Sequence, residues 1–245
     1  MKAYIQTSEN GEFYNVNAFI AYEGLSHFGF ETEKYIDADD LTDFHPEDIV
    51  VGGIGNVRKR LRHLKIFHPE KEIDYPEELK PFLKRKIWSS TINTLFENKD
   101  KWNIFIKPKT ETKLFAGKIV ADEKDFLGII SDDRDTEIWC SELMNFKTEW
   151  RCFIRYGEIL DIRRYKGAWD TALDVKTVQS ALEAFTSRPR AFAMDFGLNN
   201  NNETVLVEVN DGHSLGTYGI SALNYAKFLS ARWSELTSTE DYLNF

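Results

Sequence analysis

The stretch VLVEVNDG, residues 205–212, decides how this chain is interpreted, because it joins a strand pattern to two polar side chains. Side chains alternate across a β-strand, so we expect Leu206, Glu208 and Asn210 on one face. A buried carboxylate and amide are costly unless they have a partner. The stretch therefore raises the question of what these two side chains bind.

A second polar strand precedes this one and supplies part of the answer. AFAMDFGL, residues 191–198, is separated from it by an Asn-rich segment, so the two strands are predicted to form a hairpin. Asp195 then lies beside Glu208 and Asn210. Two carboxylates and an amide oxygen form a hard-oxygen site that suits Mg²⁺. The alternative is that Asp195 and Asn210 form turns and Glu208 lies on a solvated face.

Two lysines flank a polar loop earlier in the chain. Lys107 ends the apolar strand NIFIKP, and Lys118 follows Gly117 at the start of the next strand. A lysine at a strand end beside a loop is a suitable phosphate contact. An exposed lysine without a ligand is the alternative at each position.

The segment TEWRCFIRYGEILDIRRY predicts a second hairpin that carries arginines. A two-residue type II′ turn at 157–158 takes glycine first. This register pairs Arg151 with Arg164 and Glu149 with Lys166. It places Arg163, the residue before Arg164, on the other face of the sheet. Two arginines directly opposite repel unless an anion lies between them. A one-residue bulge would exchange the roles of the two neighbouring arginines.

The remaining motifs exclude several classes of chemistry. VVGGIGNV predicts a strand, a glycine loop and a helix, which suits either an anion or a tight turn without a ligand. The third glycine of a dinucleotide fingerprint is missing. The chain also lacks the G-x-S-x-G, H-E-x-x-H and G-x-x-x-x-G-K-[ST] motifs, and its five histidines lack metal-ligand spacing.

The order of predicted elements indicates α/β followed by α+β. KAYIQT, FETEKYI and DIVVGG read as strands that alternate with two helices, the second of them basic. HPEKEIDYPEELKP reads as a link, which gives an N-terminal domain at 1–80 and a second domain at 81–245. In the second domain we expect a helix at 82–97, then mainly antiparallel strands, and further helices near 174–185 and at the end.

Composition limits the setting of the protein. Of 245 residues, 42% are hydrophobic and the formal net charge is −9, which indicates a globular chain and argues against nucleic acid as its main partner. Two cysteines are too few for a disulfide framework. The sequence shows no apolar run long enough to span a bilayer, and we expect no membrane partner and a cytoplasmic location.

The ordered motifs FIKP, SELMNFKTEWRCFIRYGEIL, RRYKG, MDFG and LVEVNDGHSLGTYG make the chain resemble the ATP-grasp superfamily, especially its short phage and bacterial members. The resemblance covers residues 81–245, and the front part fits the α/β domain that precedes ATP-grasp domains. It implies an N-terminal parallel α/β domain followed by two antiparallel-sheet subdomains that sandwich ATP.

The resemblance also implies roles for individual residues. It places Lys107 at the phosphates and adenine, Glu142 at the adenine amino group and Glu149 at the ribose. The other implied nucleotide contacts are the backbone from Leu143 through Met144 to Asn145, the residues Arg85 and Lys118, and the phosphate-covering loop at 110–117, which lacks the usual glycine-rich pattern. Arg85 or Lys86 stands where many relatives carry a phosphate-binding lysine, and we favour Arg85. The implied Mg²⁺ ligands are Asp195, Glu208 and Asn210.

The implied activity is that of an ATP- and Mg²⁺-dependent ligase that joins a carboxylate to an amine through an acyl phosphate. Arg151 and Arg164 would stabilise charge on the transferring phosphoryl group. The substrates would be small or peptide carboxylates and amines, held by the front domain and the segment after Asn210. Two alternatives are a kinase that acts on a hydroxyl and a nucleotide-binding module without catalysis.

Overall fold

The front of the chain forms a parallel three-stranded sheet. The computed structural model describes residues 1–43, 45–66, 73–109, 114–131 and 134–245. Strand β1 (Lys2–Gln6) lies between β2 (Glu31–Tyr35) and β3 (Ile49–Val51), and helices α1 (Val16–His27) and α2 (Ile54–His63) connect them. All three residues of β3 are buried, as is typical of parallel strands. The predicted α/β front is confirmed.

The middle of the chain corrects one sequence prediction. The expected helix at 82–97 is wrong, because strand β4 (Ile87–Thr91) lies between the short helices α3 (Lys80–Leu83) and α4 (Ile92–Glu97). Lys84 has a left-handed conformation with φ of 50°, which ends α3. The strand sequence IWSST contains Ile87, Trp88 and Thr91, which are β-branched or aromatic and favour a strand over a helix.

Strand β4 belongs to the first of two antiparallel sheets. Its partners are β5 (Ile104–Pro108), β6 (Lys118–Val120) and β7 (Glu137–Ser141), in the order β4-β7-β5-β6. The second sheet contains β8 (Phe146–Arg155), β9 (Glu158–Gly167), β10 (Ala191–Asn199) and β11 (Thr204–Asp211), in the order β11-β10-β8-β9. Helix α5 (Val175–Ala184) precedes β10, and α6 (Ala222–Thr237) follows β11. The predicted architecture of one parallel and two antiparallel sheets is confirmed.

The turn between β8 and β9 differs from the predicted one. Tyr156 and Gly157 form it, with φ of 50° and 78°, and Arg155 pairs with Glu158. Positive φ at both central residues is the pattern of a type I′ turn, which takes glycine second. The predicted turn at 157–158 is therefore shifted by one residue.

Two bulges then change the pairing along this hairpin. Leu160 and Tyr165 are the extra residues in β9. The shifted turn and the bulge at Leu160 together make Arg163 the partner of Arg151. The predicted pairing of Arg151 with Arg164 is wrong, because neither bulge leaves a signal in the alternation of residue types. Glu149 does pair with Lys166, as predicted. The register change caused by the shifted turn is offset there by the two extra residues of the bulges.

The last helix packs against the front of the molecule. Core residues of β1 and β3 belong to the same hydrophobic cluster as Tyr225 and Phe228 of α6. Helices α1 and α6 approach closely at Gly24, where an added Cβ would lie 2.0 Å from the carbonyl oxygen of Ala222. The cluster therefore joins the beginning of the chain to its end.

Across the described ranges, helices that are both long and apolar enough to span a bilayer are absent.

Candidate functional site

The three predicted oxygen ligands lie together on adjacent strands. Asp195 of β10 pairs with Glu208 of β11. The amide Nδ2 of Asn210 lies 3.3 Å from Asp195 Oδ2 and 3.3 Å from Glu208 Oε1. The structure thus brings together the cluster that the sequence indicated.

A bulge in β11 separates this cluster from the core. Phe196 pairs with Leu206 while Asp195 pairs with Glu208, so Val207 is the extra residue. Leu206 packs in the hydrophobic core with Phe196. The expectation that Leu206 shares a face with Glu208 is wrong, because the bulge reverses the alternation between them. It lets the strand bury its apolar residues and still direct Glu208 to the site.

Arg151 holds Asp195 through both carboxylate oxygens. Its Nε and Nη2 donate to Oδ1 and Oδ2 at 2.8 and 2.7 Å, and the two residues are 6% and 2% exposed. Burial raises the pKa of Asp195 to about 6, although the guanidinium opposes this shift. Burial alone would lower the pKa of Arg151, but the bonds to Asp195 raise it above its ordinary value. Asp195 is therefore fixed in orientation.

Lys107 lies at the end of β5 between two carboxylates. Its ammonium donates to Glu208 Oε2 at 2.7 Å and to Asp74 Oδ1. It also lies 4.9 Å from the centre of the Tyr75 ring. Burial opposes the charge on Lys107, but Glu208, Tyr75 and Asp74 raise its pKa above the ordinary value. Burial likewise opposes ionisation of Glu208, yet Lys107 holds the pKa of Glu208 below its usual range.

Asp74 is a site residue that the sequence analysis missed. It is 4% exposed, and Trp139 Nε1 donates to its Oδ2 at 2.9 Å. Its backbone carbonyl accepts from the Val209 N–H at 2.8 Å. Because Asp74 lies in a segment rich in proline and charge, its sequence context indicated only a link.

A cavity of about 360 Å³ lies between the two antiparallel sheets. Phe105 and Ile119 line it from the first sheet, and Glu149 and Glu208 line it from the second. Glu142, Leu143 and Met144, which are predicted to bind the adenine base, also line this cavity. A mainly apolar slot with a few polar side chains is typical of small-ligand sites.

Two carboxylates of this cavity have protein partners. Glu142 accepts from the backbone N–H of Lys86 at 2.9 Å, which ties the end of β7 to the start of β4. Glu149 is 8% exposed and accepts from the hydroxyl of Tyr165 at 2.8 Å and from the ammonium of Lys166. Tyr165 and Lys166 were missed as site residues, and the bulge at Tyr165 explains why its side chain reaches Glu149.

A second cavity of about 540 Å³ lies on the side of the front sheet. Asp74, Lys107 and Asn210 form part of its wall, together with Ile54 at the start of α2 and Leu215 after β11. The two cavities are therefore separated by the Lys107–Glu208 ion pair and its neighbours. Ile54 belongs to the α/β front of the chain and Leu215 to the segment after Asn210, the two regions where the sequence predicts the substrates.

Hydrogen bonds hold the segment after β11 in place. Ser214 Oγ donates to the carbonyl of Gly52 at 2.8 Å, and the N–H of Thr217 donates to Asn17 Oδ1 at 2.9 Å. Tyr218 stacks on Tyr165 with ring centres 4.6 Å apart. This segment thus connects the front domain to the second sheet.

The glycine loop before α2 serves packing. Gly53 caps α2, and its N–H donates to Gln6 Oε1 at 2.7 Å. An added Cβ at Gly52 would lie 2.4 Å from the Tyr35 hydroxyl. These contacts favour the tight turn over the anion site that the sequence left open.

Arg85 binds protein oxygens. It donates to Ser141 Oγ at 3.0 Å, to the Leu206 carbonyl at 2.8 Å and to the Val207 carbonyl at 2.8 Å. Burial lowers the pKa of Arg85. Arg85 lines the smaller cavity, but these bonds tie the two antiparallel sheets together.

Lys86 and Lys118, two other basic residues considered as phosphate contacts, lie against protein groups. Lys86 is exposed, and its ammonium lies 5.5 Å from the centre of the Trp88 ring. The Lys118 ammonium donates to the backbone carbonyl of Asp125. In the predicted loop at 110–117, residues 110–113 lie outside the described residues, and Gly117 packs so closely on Phe105 that an added Cβ would lie 2.5 Å from its ring.

Arg163 replaces Arg164 beside Arg151. Arg164 is exposed and pairs with Trp150, whereas Arg163 is half-buried and pairs with Arg151. Arg163 Nη2 donates to Asp161 Oδ2 at 2.7 Å. The structure therefore places the predicted arginine Arg164 on the opposite face from Arg151.

The donor set fits a hard cation in part. Within the described residues there is no group of three or more His, Cys, Asp or Glu that could hold a metal. Asp195, Glu208 and Asn210 supply two carboxylates and an amide oxygen. A Mg²⁺ ion commonly binds one or two carboxylates and takes its other ligands from water and phosphate. The chemistry of these three side chains fits that mode.

Two antiparallel sheets that enclose a cavity and present a lysine and a carboxylate cluster define an ATP-grasp fold. The chain belongs to the family described as ATP-grasp domain, R2K clade family 2, whose model matches residues 82–228. A comparison with curated proteins gives no match.

Solved structures with the same fold include two proteins that are named as ligases. D-alanine–D-alanine ligase from Bacillus anthracis is 13% identical, with a TM-score of 0.59, over 97% of this chain and 98% of that one. An ATP-grasp RimK domain protein from Sphaerobacter thermophilus is 11% identical, with a TM-score of 0.59, over 93% and 99%. L-amino acid ligase from Bacillus licheniformis is 13% identical, with a TM-score of 0.55, over 96% and 74%.

Proposed function

We propose that the protein is an ATP- and Mg²⁺-dependent ligase that joins a carboxylate to an amine. The observation that carries this proposal is the pair of cavities on either side of the Lys107–Glu208 ion pair, with Lys107 lining the larger cavity and Glu208 lining the smaller one. The smaller cavity, between the sheets, receives the nucleotide. The larger cavity, beside the front domain, receives the acceptor, so the ion-paired cluster lies where a phosphoryl group would pass between them.

Different residues of the smaller cavity bind different parts of the nucleotide. Glu142 and the backbone of Leu143 and Met144 bind the base, as the family resemblance implies. Glu149 binds the ribose, and its bonds to Tyr165 and Lys166 keep its carboxylate in place. Lys107 binds phosphate oxygens with a charged ammonium at the boundary of the two cavities.

The carboxylate cluster holds the metal. Asp195, Glu208 and Asn210 lie side by side, with the Asn210 amide 3.3 Å from each carboxylate, and Arg151 fixes Asp195 through both of its oxygens. These three side chains would hold the ion. When bound, Mg²⁺ neutralises phosphate charge and orients the terminal phosphoryl group.

Arg151 and Arg163 supply positive charge on the side of the second sheet that carries the cluster. Arg163 takes the role that the sequence assigned to Arg164, because the observed pairing places it opposite Arg151. Fixed cations beside a transferring phosphoryl group stabilise the charge that develops there.

The reaction needs no covalent attachment to the protein. The acceptor carboxylate attacks the terminal phosphorus, the bond to the bridging oxygen breaks, and ADP leaves with that oxygen. The amine then attacks the carbonyl carbon of the acyl phosphate, and phosphate leaves as the amide forms. Two structural neighbours are named as ligases of amino acids, so amino acids are the first acids and amines to test.

An assay with purified protein tests the proposal. ATP, Mg²⁺ and a panel of amino acids are supplied, and ADP, phosphate and coupled product are measured. We expect ADP and phosphate release that requires both a carboxylate and an amine, with an amide product detected by mass. A stable phosphorylated product would instead identify a kinase, and tight Mg·ATP binding without turnover across broad panels would identify a binding module.

A further inference from the structure

Asp74 occupies one side of the phosphate-binding lysine. Asp74 and Lys107 both line the larger cavity, whereas Glu208, the other partner of Lys107, lines the smaller one. The ammonium thus lies between two carboxylates, with side chains of Lys107 and Asp74 only 15% and 5% exposed. A phosphate oxygen that binds Lys107 must share an ammonium that already has two anionic partners.

The position of Asp74 is fixed by contacts other than Lys107. Trp139 donates to Asp74 Oδ2 at 2.9 Å, and the backbone of Asp74 accepts from Val209 at 2.8 Å. The backbone φ of Asp74 is 47°, a left-handed conformation that is uncommon for residues other than glycine. The carboxylate is therefore held against Lys107 by β7 and β11.

Charge decides the consequence of this arrangement. Lys107, Asp74 and Glu208 together carry one positive and two negative charges, so Lys107 already has two carboxylate partners before a nucleotide arrives. Like charges at short range repel strongly where water is excluded. Glu208 also serves the metal in the proposed function, whereas Asp74 has only protein partners to satisfy.

We propose that Asp74 competes with the phosphates of the nucleotide for Lys107 and thereby sets nucleotide affinity. The inference rests on the proposed function in placing the nucleotide between the two antiparallel sheets. Asp74 precedes the region that the family model matches, residues 82–228. A residue that lies before the ATP-grasp domain thus lowers the affinity of the site for the phosphates of the nucleotide.

Calorimetry of Mg·ATP binding to the full chain tests the competition. Asp74→Asn keeps an oxygen for Trp139 and removes the charge, and we expect Mg·ATP to bind about tenfold more tightly or better. Adenosine, which lacks phosphates, should bind wild type and variant equally. The exposed carboxylate Asp100 provides the matched control, since Asp100→Asn should leave both affinities unchanged.

The outcomes separate this inference from the proposed function. If the wild type binds no Mg·ATP, the proposed function fails. If the wild type binds Mg·ATP and Asp74→Asn binds it equally or more weakly, the competition is overturned and Asp74 only supports Lys107.

Should Asp74→Asn fail to fold, Asp74→Gly replaces it in the same comparison, since glycine adopts a φ of 47° without strain. Asp74→Gly should also bind Mg·ATP about tenfold more tightly than the wild type and bind adenosine with unchanged affinity. Equal or weaker binding of Mg·ATP by this variant overturns the inference in the same way.

Discussion

Arg163 lies directly opposite Arg151 across the β8–β9 hairpin. Two arginines at such a position repel each other, and each forms an ion pair with a carboxylate of its own. Arg151 binds Asp195 at 2.7 Å, and Arg163 binds Asp161 at 2.7 Å. The hairpin therefore presents two adjacent ion pairs on the face that carries the candidate metal ligands.

The two neighbouring arginines of β9 should differ in their effect on the reaction. Arg163→Ala is expected to lower kcat by on the order of 10²-fold, as loss of an electrostatic stabiliser typically does. Arg164→Ala, on the opposite face, should change kcat by less than about threefold, as is usual for exposed positions away from a site. Steady-state kinetics of both variants checks this order, and a larger loss for Arg164 would show that Arg163 does not serve the site.

Glu208→Gln should abolish turnover while the protein stays folded. The variant removes one charged oxygen donor, but Lys107 keeps Asp74 as a charged partner. We expect kcat to fall by at least about 10²-fold and the thermal midpoint to stay close to that of the wild type. Activity near the wild-type level in saturating Mg²⁺ would remove Glu208 from the metal site.

Asp195→Asn should lose stability as well as turnover. Arg151 is 6% exposed, and removing its charged partner leaves a buried charge without compensation. The free energy of unfolding should fall by on the order of 3 kcal/mol. Urea denaturation measures this loss. The double variant Asp195→Asn with Arg151→Met should recover part of it, and failure to recover any would contradict the buried-pair explanation.

Arg85→Ala should affect stability more than nucleotide binding. It removes hydrogen bonds to Ser141 and to the carbonyls of Leu206 and Val207. Leaving buried carbonyl groups without donors costs about 1–3 kcal/mol. Urea denaturation should show that loss, while calorimetry should show Mg·ATP affinity within about threefold of wild type, the margin of half a kcal/mol or so typical of a change outside the site. A tenfold or greater loss of affinity in a folded variant would restore Arg85 as a phosphate contact.

The sequence was sufficient to predict the cluster of Asp195, Glu208 and Asn210. Polar residues inside strands of valine and phenylalanine are costly without partners, and a hairpin brings the two strands together. Lys107 was predicted for a similar reason, since it ends an apolar strand beside a loop. For all four residues, the adjacent residues in the sequence are enough to indicate a role in a site.

The bulges could not be predicted from the alternation of residue types. Leu160, Tyr165 and Val207 are each inserted within a continuous strand, without a neighbouring glycine or proline to mark the bulge. A single extra residue reverses which face the following residues occupy. For this reason the alternation of residue types favours Arg164 over Arg163 and predicts Leu206 on the face of Glu208, and the structure shows the reverse at both positions.

Asp74 was missed for a different reason. Its role depends on Lys107, Trp139 and Val209, which are distant in sequence, and nothing near Asp74 shows that it is buried. The helix predicted at 82–97 failed because the pairing of β4 with β7 outweighs a weak helical pattern.

Gly24 and Ala222 show that the limits of the family are not the limits of a folding unit. The match to the family model ends at residue 228, inside α6, which runs to Thr237. Helix α6 packs on α1, where only glycine allows the Ala222 backbone so near. A fragment cut at residues 82 and 228 would interrupt this helix and expose the apolar face that α1 covers, so we expect it to aggregate. The core closes only when residues from both ends of the chain have met, which makes its formation a late, non-local step in folding.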